Sequence, residues 1–132
     1  MIDLKELING LPDLYIRGPV TEDEIIAKEK ELDLHFSEDY REYAKEFGFI
    51  TYDGHELTGI TELKNYDVVS ITNKARVVNS KIPERYYVIE DTHIDGIIIL
   101  QSEDGSVYIA EEDKLPRKIY DSLKEYILKV DE

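Results

Sequence analysis

At 132 residues the chain fits one domain, long enough to bury roughly two-thirds of the surface its unfolded form would expose. It has no cysteine, which excludes disulfides, thiolate metal sites and cysteine nucleophiles, and fits a reducing cytosol. Thirty Asp and Glu against sixteen Lys and Arg leave a net charge of −14, a surface that repels phosphate backbones and anionic membranes.

The chain opens on helical spacing. Leu4, Leu7, Ile8 and Leu11 form a short amphipathic stripe that Gly10 and Pro12 bring to an end. This start, "MIDLKELINGLPDL", has no basic and apolar leader pattern, so no signal peptide is expected. In "TEDEIIAKEKELDL", Thr21 and Glu24 make a capping box with acids in the first turn. "SEDYREYAKEFG" follows, with Ser37 as cap, Tyr40, Tyr43, Ala44 and Phe47 on one face, and Gly48 placed for a left-handed end.

The period then changes. "FITYDGHELTGI" holds the Asp53-Gly54 pair of a type I′ hairpin. Residues 67–79 return to helical spacing through Val68, Ile71, Ala75 and Val78. Three strands are predicted next, "YYVIE", "GIIILQ" and "SVYIAE", the last two joined by the turn "SEDG". The aliphatic run 97–100 predicts a central strand covered on both faces, and is far short of the ~20 residues that span a bilayer. Leu123, Tyr126, Ile127 and Val130 close the chain as a helix capped by Asp121 or Ser122. Helices, an antiparallel meander and a closing helix define a single α+β domain.

"IEDTHIDGIIIL" imitates a calcium loop, with Asp91, Asp95 and Gly96 at the first, fifth and sixth positions. It fails where affinity is decided. His93 stands at the third position, Ser102 replaces the bidentate Glu at the twelfth, and the flanks read as strands rather than helices. His35, His55 and His93 have no ligand spacing, and read as polar surface or loop residues. No nucleophile elbow, phosphate loop or dinucleotide fingerprint occurs. The expectation is therefore a protein that is not an enzyme and needs no metal or cofactor. Of the ten tyrosines, Tyr40, Tyr43 and Tyr126 fall on core faces, while Tyr52, Tyr66 and Tyr120 have the claim to exposure.

Two blocks resemble the SUKH superfamily. "EIIAKEKELDLHFSEDYREYAKEFGFI" is similar to its helical signature, and "VVNSKIPERYYVIEDTHIDGIIILQSEDGSVYIAEE" to its strand meander, with "IYDSLKEYI" as the terminal helix. The likeness spans residues 21–130. It departs at His35-Phe36, where the family usually has Leu-Pro, and in the absence of tryptophan. The resemblance implies a non-enzymatic domain: in bacteria an immunity protein that blocks a polymorphic toxin domain, often a nuclease or deaminase, and in fungi an interaction module regulating cell-wall synthesis. It supplies no catalytic residues.

Charge alone leaves two readings open, a surface offered to a basic protein and a merely solvated one. If the three strands run down, up and down, Asp91 and Asp95 come near Glu111, Glu112 and Asp113 at one end of the sheet. These five residues are the candidate contacts for a basic toxin. A cytoplasmic monomer, or a weak homodimer through an edge strand, is expected. The competing expectation is a regulatory interaction module without a toxin.

Overall fold

The computed structural model describes residues 2–131. Helix α1 spans Leu4–Asn9 and starts on Asp3, whose carboxylate accepts from the Glu6 N–H at 2.8 Å. It stops short of Leu11 because Gly10 takes the cap. Helix α2 (Glu22–Leu32) carries the expected capping box, with Thr21 and Glu24 exchanging hydrogen bonds at 3.1 Å. Helix α3 (Glu38–Phe47) begins on Ser37 and ends at Gly48, whose φ of 72° is in the left-handed region.

Strand β1 (Tyr15–Ile16) pairs with β2 (Ile50–Tyr52), and β2 with β3 (His55–Glu56), all antiparallel. Asp53 and Gly54 have φ of 43° and 84°, as the type I′ turn requires. Helix α4 (Val68–Val78) is capped by Asp67, a buried carboxylate 3.3 Å from the Lys28 ammonium. The second sheet runs in the order β4 (Tyr87–Asp91), β5 (Ile98–Gln101), β6 (Val107–Ala110), β7 (Arg117–Tyr120), antiparallel throughout. Helix α5 (Leu123–Lys129) closes the chain, and Ser122 rather than Asp121 is its cap.

The meander therefore has four strands, one more than expected. Strand β7 is a half-exposed edge, Arg-Lys-Ile-Tyr, that lacks the apolar run or alternation by which strands are recognised. Strand β5 is interior and buried along its whole length, as expected of 97–100. Tyr87, Ile89, Ile99 and Val107 face the main core, which α1, α2, α3 and α5 complete through residues such as Ile8, Ile25, Tyr40, Tyr43 and Leu123. Val88, Ile98, Leu100 and Ala110 face the other way into a smaller core beneath α4, with Ile82, Ile71 and Ala75.

One irregularity decides what stands where. Between Val88 and Glu90 the pairing of β4 with β5 shifts by one residue, a β-bulge. Strict alternation would put Glu90 on the same face as Val88, under α4. The bulge turns Glu90 opposite Ile99, into the main core, and Asp91 opposite Ile98, toward α4.

Candidate partner-binding end of the sheet

The β4–β5 and β6–β7 loops emerge at the same end of the sheet, where Asp91 pairs with Ile98 and Ile98 with Ala110. Asp91 leaves β4 with its carboxylate accepting from the His93 N–H at 2.9 Å. The rest of that loop is braced by Thr92, whose hydroxyl donates to the Ile97 carbonyl at 2.6 Å and accepts from the Ile94 N–H at 3.2 Å. His93 and Asp95 both lie in the left-handed region, with φ of 58° and 51°, and Ile94 between them is exposed at the tip. In the neighbouring loop, Lys114 pairs with the Glu111 carboxylate at 3.1 Å. Asn79 donates to the Glu111 carbonyl at 3.3 Å and Lys81 to the Asp113 carbonyl at 2.6 Å, tying the end of α4 to this loop. A β-carbon on Gly96 would lie 4.0 Å from Glu112 Oε2, so the two loops are neighbours.

Asp91 and Glu112 thus share one wall of a groove of about 640 Å³ between α4 and the strand ends. Asp95, Glu111 and Asp113 belong to the same two loops outside it. The surface is not simply acidic. Lys74 of α4 and Lys64 of the preceding loop also line the groove, and Ile71, Ala75, Val78 and Ile98 supply apolar surface within it. A reading based on carboxylates alone overlooks these aliphatics. Ile71, Ala75 and Val78 belong to the helical stripe read from the sequence and Ile98 to the aliphatic run; spacing alone does not show that they border an open groove.

Behind this end lies a buried polar cluster. Glu90 accepts from the Tyr126 hydroxyl through Oε1, and its Oε2 is 2.9 Å from His55 Nδ1. His55 Nε2 lies 2.8 Å from Asp131 Oδ1. Burial and the charge of Glu90 hold the Tyr126 phenol well above its usual range. His55 does not match the surface or loop reading: it sits in β3 with its side chain largely covered and bridges two carboxylates. Tyr52 is also buried, its ring stacked on His55 with centroids 4.9 Å apart, because the inward face of β2 points into the main core. Tyr66 and Tyr120 are half-buried. Among the described residues no three His, Cys, Asp or Glu side chains gather as a metal ligand set, and no helix is long and apolar enough to cross a membrane.

Burial lowers the pKa of His55, but the hydrogen bonds its ring makes to Asp131 and Glu90 outweigh it, and the net shift is upward from 6.5. A group whose folded pKa is raised adds stability that is complete below its unfolded value and lost as pH rises through the folded one. Urea unfolding from about pH 6 to about pH 9 is therefore expected to show stability declining across the His55 titration, and His55→Gln to flatten that decline. An unchanged slope in the variant would place the pH dependence elsewhere.

Among the described residues the fold is a small α+β domain of five helices and two antiparallel sheets. A crystal structure of a protein from Pseudomonas syringae pv. tomato has the same fold, with a TM-score of 0.79 and 17% sequence identity over 96% of this chain and 97% of that one. A comparison with curated proteins gives no match. Residues 4–131 match the SUKH_5 family model, described as SMI1-KNR4 cell-wall, and the chain belongs to that family.

Proposed function

We propose that this protein is a cytoplasmic immunity protein that neutralises a cognate toxin domain, a nuclease or other nucleic-acid-modifying toxin, by stoichiometric binding rather than by catalysis. Membership of the SUKH_5 family supports a role of this kind. The observation that carries the choice of partner is the net charge of −14. A toxin that grips phosphates is basic around its active site, and an acidic inhibitor is complementary to it, gaining mainly in association rate and specificity. Asp91, Asp95, Glu111, Glu112 and Asp113 are the proposed contacts. The family description favours one second reading, a regulatory interaction module concerned with the cell wall.

Co-expression tests the proposal. Cells producing a toxin domain encoded beside this chain are expected to survive when the chain is present, and the two proteins to co-purify. Death despite a folded, abundant chain would overturn the immunity reading. Reversing the charge at Glu111, Glu112 and Asp113 together is expected to slow association about tenfold at low salt, with the difference shrinking as salt is added. An unchanged on-rate would remove these three from the contact surface.

A further inference from the structure

Among the described residues, the four most exposed large aliphatic side chains are Val77, Leu115, Val78 and Ile94, at 87%, 77%, 67% and 61% of their full exposure. Three different segments supply them: the end of α4, the β4–β5 loop and the β6–β7 loop. Each segment also lines the groove already described: Lys74 and Val78 from α4, His93 and Gly96 from the β4–β5 loop, and Glu112 from the β6–β7 loop. Val77 lies seven residues after Ser70 and three after Lys74, two groove-lining residues, so helical spacing puts it at the margin of the groove. His93 and Gly96 line the groove on either side of Ile94, and Leu115 follows Glu112 by three residues. Scattered single aliphatics are ordinary on a protein surface; four on the segments that border one groove point to an interaction site.

The groove is also polarised across its width. Lys74 stands on α4, while Asp91 and Glu112 come from the strand ends; Lys64 and Glu56 lie on neighbouring segments, where the Tyr66 hydroxyl donates to the Glu56 carboxylate at 3.2 Å. Between them the floor is aliphatic, through Ile71, Ala75 and Ile98. A long side chain with an apolar stem and a cationic head matches this order of chemistry: its methylenes lie on the floor, the carboxylates draw its head to the strand side, and Lys74 repels it from the other. Arginine fits better than lysine, because its planar fork can engage two carboxylates and its weaker hydration makes burial easier.

We propose that this groove receives an arginine from a basic partner protein, with Val77, Val78, Ile94 and Leu115 as the apolar rim on which the partner's flanking residues rest. The proposal rests on the immunity reading for the identity of the partner, and on the groove itself for the existence of the site.

Two experiments separate these dependencies. In the first, the isotope-labelled full chain is titrated with n-butylguanidinium and, separately, with butyrate, and amide shifts are followed by NMR. Butylguanidinium is expected to bind with a dissociation constant on the order of millimolar, shifting Ile71, Ala75, Gly96 and Ile98, and butyrate about tenfold more weakly. Glu112→Gln is expected to weaken the cation about threefold and leave the spectrum of the free protein otherwise intact. Equal binding of the two probes, or shifts confined to other surfaces, would overturn the assignment. In the second, the exposed pair is replaced, Val77→Ser with Val78→Ser, and affinity for the toxin domain is measured. A loss of about tenfold or more is expected. If the unaltered chain neutralises the toxin and the double variant binds it equally well, the groove is not the docking site although the immunity reading stands. If the unaltered chain does not neutralise the toxin, that reading fails, and the cation titration alone decides the groove.

Discussion

Replacing Gly59 with alanine is expected to destabilise this protein by at least about 3 kcal/mol, read as a lower urea midpoint at an unchanged slope. A β-carbon at this position would lie 1.8 Å from the Gly48 carbonyl oxygen and 2.6 Å from the β-carbon of Phe49. Neither obstacle is a flexible side-chain tip that can swing away. The Gly48 carbonyl accepts from Ile60 at 3.0 Å, and Gly59 itself donates to Tyr66 and accepts from Val68, each at 2.8 Å. The crossing segment that joins β3 to the start of α4 is therefore held on both sides. Gly10→Ala provides the control, since its added β-carbon meets only ordinary contacts at 3.6 and 3.7 Å, and a change within about 0.5 kcal/mol is expected there. Comparable stabilities for the two variants would mean that the backbone at Gly59 gives way more easily than its hydrogen bonds imply.

Glu90→Ala is the second substitution expected to have a large effect, about 3 kcal/mol or more in urea or thermal unfolding. The carboxylate is 3% exposed and serves two partners at once, the Tyr126 hydroxyl and the His55 ring. Removing it leaves the buried phenol of Tyr126 without its acceptor, strips His55 of one of its two carboxylates, and opens a cavity in the main core. Glu90→Gln keeps the volume and one acceptor oxygen, and is expected to lose less than the alanine variant. A loss below about 1 kcal/mol for Glu90→Ala would show that the cluster is decoration rather than a strut between β3, β4 and α5.

Legibility in the sequence followed the signals that are local. Thr21, Ser37 and Gly48 end their helices as their chemistry predicts, and Asp53-Gly54 makes its turn, because caps and tight turns depend on a few neighbouring residues. The aliphatic run 97–100 read correctly as an interior strand because burial on both faces leaves no polar alternation. What could not be read depends on contacts far apart in the chain. Nothing near Glu90 announces a bulge, yet that one-residue shift separates a buried structural carboxylate from the groove-facing Asp91 beside it. His55 looks like a loop histidine until β4 and the C-terminal Asp131 close around it. Of the five proposed acidic contacts, the loop geometry puts Asp91 and Glu112 in the lining of one groove, but Lys74 and Val78 join them only through the path of α4 across the sheet.

An apolar groove floor, carboxylates at the strand ends and a net charge of −14 are the grounds on which a basic protein is proposed as the partner. Titrating a purified cognate toxin domain with this chain tests the claim most directly, with binding heat and residual toxin activity followed together. A one-to-one endpoint is expected, at which heat evolution ceases and toxin activity vanishes. Full toxin activity at a molar excess of the chain, with no heat of binding, would contradict it.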